Sequence, residues 1–148
     1  MAPCGGQPQG AKENKNMKSE PSTNCPLCLT QIQSMIIERI GSVVSIPDKY
    51  PVTNSHTLIL PIRHTPDFFS MTSDEIEDAL ALIKLLRDKI TRDDPSVTGF
   101  NIGVNCGTSA GQTIMHAHIH LIPRRDGDTP KPRGGVRGVI PGKMTYGP

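Results

Sequence analysis

The clearest pattern of hydrophobic and polar positions lies in the middle of the chain and predicts a helix. Thr72, followed three residues later by Glu75, matches the capping box that opens a helix. The helix is expected to stop before Asp93-Asp94-Pro95. Between these limits apolar side chains recur at helical spacing and predict one core-facing stripe, made of Ile76, Leu80, Ile83, Leu86 and Ile90.

Shorter apolar runs on either side of the helix predict strands. The runs Met35 to Ile37 and Val43 to Ile46 are separated by turn residues, which indicates a hairpin. Thr57 to Ile62 predicts a third strand, and the alternation from Phe100 to Val104 predicts a fourth. A fifth strand is predicted from His116 to Ile122.

The order of these elements predicts the fold class and three segments. Three strands, one helix and two strands with short connections indicate an α+β fold, an antiparallel β-sheet with one main helix. Residues 1–24 have almost no apolar side chains and predict a disordered tail, because they cannot offset their ordering entropy. Residues 25–125 form the predicted domain, and the Pro- and Gly-rich residues 126–148 form a predicted extended arm over its surface.

Length, charge and cysteine content exclude several classes of protein. A chain of 148 residues is one domain, and its net charge of +2 does not indicate a nucleic-acid partner. Because no apolar run is long enough to span a bilayer, no membrane role is expected. The four cysteines are too few and too scattered for a disulfide framework, which predicts a reducing, cytoplasmic setting.

Three of the five histidines lie two residues apart, at His116, His118 and His120. On a strand all three would project from one face, and the apolar residues between them would project towards a core. Pro123 is expected to end this strand because proline cannot donate to a ladder. The cluster suits two chemistries, metal ligation by neutral imidazole and nucleophilic or acid–base catalysis near neutral pH.

The loop before the histidines, from Asn105 to Thr113, is suited to holding an anion. Gly107 and Gly111 allow backbone N–H groups to come close to a ligand, and the loop adds hydroxyl and amide donors. Such a loop is weak evidence alone, but its position directly before the histidines favours a phosphate site.

At this point a resemblance is apparent. Gly111-Gln112-Thr113, followed by His-x-His-x-His and two apolar residues, resembles the signature of the histidine triad (HIT) family. Three further stretches match in the family's order, namely Asn54 to Pro61, Gly99 to Gly103 and Cys25-x-x-Cys28. The resemblance covers residues 25–125 and identifies that segment as a HIT domain.

The resemblance implies a nucleotide hydrolase or transferase that cleaves the α-phosphate of dinucleoside polyphosphates, such as diadenosine tetraphosphate, through a nucleotidyl-histidine intermediate. By position, His118 would be the nucleophile, and His120 and His56 would support the phosphate. The nucleotide-binding positions it implies are Asp48 at the ribose and Asn105, Gly111, Gln112 and Thr113 at the phosphate or leaving group.

The same residues are compatible with other activities. They would also serve an adenosine 5′-phosphoramidate hydrolase, a phosphorylase that passes the intermediate to phosphate, or a non-catalytic nucleotide-binding regulator. The resemblance further implies a homodimer, and Mg²⁺ could enter with the substrate.

A metal site is predicted beside the catalytic histidines. Cys25 and Cys28 have the spacing of metal ligands. The resemblance adds His64 and His116, and such a Cys₂His₂ set would hold a structural zinc that pins the N-terminal segment to the sheet.

Overall fold

The computed structural model describes residues 24–147 and contains a five-stranded sheet. Every neighbouring pair of strands is antiparallel, and the spatial order is β1-β2-β3-β5-β4. This sheet, with one long helix, confirms the predicted α+β class. The predicted disordered tail, residues 1–24, lies outside the described residues except for Asn24. The strands are β1 (Glu38–Ile40), β2 (Val43–Pro47), β3 (Thr57–Pro61), β4 (Val97–Val104) and β5 (Ile119–Arg125).

The long helix begins as the sequence predicts. Helix α2 (Ser73–Asp93) follows the short helix α1 (Leu29–Ile32) in the chain. Thr72 Oγ1 accepts a hydrogen bond from Glu75 N at 3.2 Å, and Glu75 Oε2 accepts one from Thr72 N at 2.8 Å. Both halves of the capping box are therefore present. Short 3₁₀ turns occur at Gln33–Met35, Phe68–Ser70, Thr108–Ala110 and Gly135–Val139.

The buried face of α2 differs in part from the predicted stripe. Leu80 is 54% exposed, although the stripe included it, whereas Leu82 is fully buried. Ile83 and Leu86 are buried as predicted, and Ala79 joins them. The helix is rotated so that Ala79 and Leu82 join the helix-side core and Leu80 faces outwards.

The sheet separates two hydrophobic clusters, one on each face. On the helix side, Val43, Ile59 and Leu121 pack with the buried residues of α2. On the opposite face, Val44 and Leu60 pack with the N-terminal segment. Alternation along the strands explains this division, because successive side chains point to opposite faces. His120 therefore lies on the face away from α2, since its neighbours Ile119 and Leu121 belong to the helix-side cluster.

The histidine strand is displaced from its predicted position. Strand β5 begins only at Ile119, so His116 and His118 precede it. The preceding segment makes a different connection, because Ala117 N donates to Thr65 O at 2.8 Å. The prediction that Pro123 ends the strand is wrong. Beyond Leu121 the strand is registered only with β4, so the missing proline N–H removes no bond to β3.

Two further expectations change in detail. The strand predicted from Met35 to Ile37 is wrong, because Met35 belongs to a 3₁₀ turn and the first strand of the hairpin is Glu38–Ile40, which pairs with β2. The C-terminal arm is not purely extended, since it contains the 3₁₀ turn Gly135–Val139. Within residues 24–147, no helix is long and apolar enough to cross a membrane.

Candidate functional site

A cavity of about 690 Å³ opens on the sheet face away from α2 and collects most of the predicted catalytic and nucleotide-binding residues. One wall is apolar, with Leu27, Ile46 and Leu58 among its side chains. The other wall is polar, so the cavity offers an apolar surface beside hydrogen-bonding groups. Six predicted residues line it, namely Asp48, Asn105, Gly111, Thr113, His118 and His120.

His118 is held in one tautomer by the backbone. Its Nδ1 lies 2.7 Å from the carbonyl oxygen of His116, and a carbonyl can only accept. Nδ1 therefore carries the proton, and the lone pair of the neutral ring is on Nε2. A neutral imidazole with this lone pair in a cavity is equipped to act as a nucleophile.

His56 and His120 form a second chain with assigned tautomers. Val52 N donates to His56 Nδ1 at 3.2 Å, which places the proton of the neutral His56 ring on Nε2. His56 Nε2 then donates to His120 Nδ1 at 3.0 Å, so His120 carries its own proton on Nε2. His120 thus presents an N–H donor, and His56, which is only 4% exposed, fixes its orientation.

Asp48 lies beside this histidine pair. Its Oδ2 is 3.4 Å from His56 Nε2 and 3.6 Å from His120 Nδ1, while Oδ1 accepts from Tyr50 N at 2.7 Å. The two histidines and the carboxylate are close enough together for a metal ion. With the proton on Nε2, however, His56 has no lone pair to give to a metal.

Burial keeps both histidines neutral. Loss of hydration lowers the pKa of His56 below the ordinary value of 6.5, against the opposing effect of Asp48. Burial also lowers the pKa of His120, and the neighbouring His118 and His56 lower it further. Near pH 7 both rings therefore remain uncharged, which is the state that the hydrogen-bond chain requires.

Gln112 is buried behind the loop instead of facing the cavity. Its Oε1 accepts from Gly107 N at 2.8 Å, and its Nε2 donates to Pro66 O at 2.6 Å and Ile114 O at 3.0 Å. Both amide hydrogens are used in these bonds. This arrangement differs from the direct phosphate contact that the resemblance implies, and gives Gln112 the role of shaping the loop.

Glycine conformations complete the loop. Gly107 and Gly111 flank the 3₁₀ turn Thr108–Ala110 with φ values of +82° and +86°. These angles lie in a region that side chains disfavour, which explains glycine at both positions. The turn brings Gly111 to the rim of the cavity, beside Thr113.

The four predicted metal ligands come together at the edge of the same sheet face. Cys25 Sγ lies 3.5 Å from His116 Nδ1, and Cys28 Sγ lies 3.4 Å from His64 Nδ1. A tetrahedral zinc, with bonds of about 2.3 Å to sulfur and about 2.0 Å to nitrogen, separates such ligand atoms by roughly 3.6 Å. These two distances suit zinc, and all four ligand atoms lie within 4.8 Å of one another.

The protonation of His116 also suits a metal. Its Nε2 is 2.8 Å from Pro61 O and must donate, which leaves the lone pair of Nδ1 directed at the cysteines. Burial, the largest effect, lowers the pKa of His116, so the ring stays neutral. Neutral imidazole is the form that binds metals.

Sequence reasoning missed two features of the main cavity. Leu27 lies in the cavity wall because the Cys25–Cys28 segment folds over β2 and β3. Lys49 and the 77% exposed Tyr50 stand at the rim. The sequence could have indicated Lys49, because it directly follows Asp48, the residue expected to contact the ribose.

Comparison with known proteins agrees with this geometry. The chain is 31% identical over 108 residues to an uncharacterized HIT-like protein of Mycobacterium tuberculosis, covering 73% of this chain and 74% of that protein. It is 30% identical over 105 residues to an adenosine 5′-monophosphoramidase of Candida albicans, covering 69% of each. It is 33% identical over 97 residues to an asymmetrical bis(5′-nucleosyl)-tetraphosphatase of Schizosaccharomyces pombe, covering 66% of this chain and 53% of that one.

Solved structures show the same fold. A HIT family protein from Bacillus anthracis superposes with a TM-score of 0.65 at 31% identity, covering 72% of this chain and 77% of the other. A zinc-bound histidine triad family protein from Mycobacterium smegmatis superposes with a TM-score of 0.62 at 28% identity, covering 70% and 78%. The HIT domain family model matches residues 30–127, well over half of the chain. The protein therefore belongs to the HIT family.

Proposed function

We propose that this protein cleaves the α-phosphate of a nucleotide substrate by transferring the nucleotidyl group first to His118 and then to water. The observation that carries this proposal is the fixed tautomer of His118, because its Nδ1–H bond to His116 O leaves Nε2 as the nucleophile. A covalent intermediate replaces one difficult displacement by two easier ones.

The remaining cavity residues have supporting roles in this proposal. His118 Nε2 attacks phosphorus, and the bond from phosphorus to the leaving group breaks. His120, oriented by His56, donates its Nε2–H to a phosphate oxygen or to the departing atom. The apolar wall receives the base, and Asp48 accepts from the ribose hydroxyls at the cavity mouth.

The loop supplies further donors to the phosphate. The backbone at Gly111 and the side chains of Asn105 and Thr113 line the cavity and serve as phosphate or leaving-group contacts. Gln112 acts through the loop, since its own donors bind backbone carbonyls. Water then attacks phosphorus in the intermediate and restores His118.

Zinc in the Cys25, Cys28, His64 and His116 cluster is proposed as structural. The ligand spacing and the Nδ1 lone pair of His116 support it. When bound, zinc would tie the N-terminal segment, including Leu27, to the sheet and so preserve one cavity wall. No step of the reaction requires it.

Two substrate classes remain as candidates. Dinucleoside polyphosphates are the first, supported by the sequence resemblance and by the tetraphosphatase relative. Nucleoside phosphoramidates are the second, favoured by the charge of the site. Among the described residues, Lys49 is the only lysine or arginine lining the main cavity. Arg124 and Arg125, beyond the triad, are paired with Asp128 and Asp94.

The test is product analysis with a trapping step. The wild-type protein is incubated with diadenosine tetraphosphate, with and without inorganic phosphate, and separately with adenosine 5′-phosphoramidate. Release of AMP without added phosphate supports hydrolysis, whereas a requirement for phosphate identifies a phosphorylase. His118→Ala is expected to lose several orders of magnitude in rate and all covalent labelling by the nucleotide.

Gln33→Ala, an exposed substitution outside the cavity, is the control and is expected to retain full activity. A His118→Ala protein that kept most of its turnover would contradict the mechanism. Nucleotide binding without turnover by the wild-type protein would instead identify a binding regulator.

The oligomeric state and the cellular compartment are also proposals. A homodimer is proposed because β4, an eight-residue strand, forms one edge of the sheet within the described residues. A cytoplasmic setting is proposed because Cys25 and Cys28 must remain reduced to bind zinc, and a reducing compartment keeps thiols in that state.

A further inference from the structure

The turn between Val52 and His56 holds one end of the hydrogen-bonded pair of histidines at the cavity. Val52 N donates to His56 Nδ1 at 3.2 Å, and His56 Nε2 donates to His120 Nδ1 at 3.0 Å. The proton that His120 carries on Nε2 therefore depends on where the backbone of this turn is held. We call residues 52–56 the histidine turn.

The alternative arrangement of protons shows why the bond from Val52 N matters. If His56 carried its proton on Nδ1, His120 could donate from its own Nδ1 to His56 Nε2, and the 3.0 Å contact between the rings would survive. Asp48 Oδ2 lies 3.4 Å from His56 Nε2 and 3.6 Å from His120 Nδ1, so it discriminates little between the two arrangements. Val52 N can bond only a His56 Nδ1 that bears a lone pair, which makes it the contact that selects the observed arrangement.

The backbone of the histidine turn is strained. Ser55 has a φ of +67°, and among residues 24–147 it alone combines a positive φ with a side chain. Such a conformation persists where surrounding contacts hold it. His56 N donates to Thr53 O at 3.2 Å, and Thr57 Oγ1 donates to Ser55 O at 2.9 Å. Both bonds connect the turn to itself or to the start of β3, so neither ties it to another strand.

Thr53 supplies a connection from the histidine turn to β5. Its Oγ1 donates to Pro123 O at 2.7 Å. The ladder between β3 and β5 ends at the pair Thr57 and Leu121, so the Thr53 hydroxyl continues the contact between these segments beyond the last paired residues. A second contact, from Arg125 Nη1 to the turn, is longer at 3.5 Å and lies at the exposed surface.

This connection closes a ring of contacts around the histidines. Strand β5 carries His120 and, three residues later, Pro123. From Pro123 the ring runs through Thr53, the adjacent Val52 N and His56 back to His120. A turn that moved away from β5 would open the ring at its longest hydrogen bond, the 3.2 Å bond from Val52 N.

We propose that Thr53 is a positioning residue, which holds Val52 N against His56 and thereby keeps the proton of His120 on Nε2. This proposal rests on the proposed function, in which that proton is donated to the phosphate or to the departing atom. In the alternative arrangement His120 Nε2 would bear a lone pair, which cannot donate. Thr53 is not among the described residues that line the main cavity, so its effect should appear in kcat and not in KM.

The experiment removes the hydroxyl and keeps the shape of the side chain. Steady-state kinetics are measured on Thr53→Val and Thr53→Ser with whichever of diadenosine tetraphosphate and adenosine 5′-phosphoramidate the wild-type protein cleaves. We expect kcat of Thr53→Val to fall about tenfold, less than the roughly 10²–10³-fold loss when such a donor is deleted outright. Thr53→Ser retains the donor and should restore kcat, and KM should be unchanged in both variants.

Thr91→Val is the matched control. Thr91 Oγ1 donates to Arg87 O at 2.8 Å on the exposed surface of α2, so this variant loses the same kind of bond far along the chain from the histidine turn. It should alter neither kcat nor KM.

A double-variant cycle separates positioning from a general loosening of the turn. His56→Phe keeps a ring at this buried position and removes both nitrogens, so Val52 N has no acceptor there. If Thr53 acts through His56, addition of Thr53→Val to His56→Phe causes no further fall in kcat. Additive losses would refute the proposal, because Thr53 would then act independently of His56.

The outcomes separate this proposal from the proposed function. Wild-type kcat in Thr53→Val, a rise in KM without a fall in kcat, or an equal loss in Thr53→Ser would each overturn the role of Thr53. The proposed function would stand in those cases, provided that the wild-type protein turns over and His118→Ala does not. Absence of turnover by the wild-type protein on both substrates would refute the proposed function and, with it, the role given to Thr53.

Discussion

Replacement of Gln112 by alanine tests whether this side chain shapes the loop or touches the substrate. The substitution removes three hydrogen bonds, to Gly107 N, Pro66 O and Ile114 O, at a site that is 4% exposed. Each such bond contributes about 1 kcal/mol net. The sum is roughly 2–4 kcal/mol, towards the lower end if water enters from the neighbouring exposed loop. For a domain of this size that corresponds to a fall in Tm of about 6–15 °C.

The assay combines thermal unfolding with steady-state kinetics on the same preparations. We expect Gln112→Ala to lower Tm and kcat/KM together, because the donors at Gly111 and Thr113 depend on the shape of the loop. Gln33→Ala, which removes an exposed glutamine, should change neither quantity. An unchanged Tm with a large loss of activity would refute the reasoning, since it would mean that the amide acts on the substrate and not on the loop.

Three further predictions concern the metal, the histidines and the core. Cys28→Ser should reduce bound zinc, measured by elemental mass spectrometry, and lower Tm, whereas equal zinc content in both proteins would disprove the site. The lowered pKa values of His56 and His120 mean that the unfolded chain binds more protons, so urea-unfolding stability should fall as pH drops from about 7 to 5; a rise on acidification would contradict this. Leu82→Ala should cost about 2–5 kcal/mol of unfolding free energy, and Leu80→Ala, at 54% exposure, clearly less; similar losses would show that the helix face is misassigned.

Local chemistry made part of the fold predictable. The capping box at Thr72 needs only residues within one turn, and it lies where the sequence predicts. Ile119 and Leu121 alternate with His120 on β5, so the core face of that strand followed from spacing alone. In both cases the decisive interaction connects residues that are neighbours in the chain.

Contacts between distant segments could not be predicted in this way. Spacing cannot reveal that Ala117 N bonds Thr65 O, and this bond helps to keep His116 out of the strand. The periodicity of α2 admitted Leu80 to the stripe because it does not specify where the helix sits on the sheet. Nor can spacing reveal that the amide of Gln112 donates to the carbonyl oxygen of Pro66, which lies 46 residues away in the chain.

The tautomers assigned to the histidines make these rings separate spectroscopic reporters. Protonated and unprotonated ring nitrogens give distinct nitrogen-15 resonances, and the tautomers of His56, His116, His118 and His120 are each determined by a hydrogen bond. Zinc loading would shift the Nδ1 signal of His116, whereas formation of a nucleotidyl adduct would shift Nε2 of His118. One isotope-labelled sample could therefore follow metal occupancy and the progress of the reaction independently, without any engineered probe.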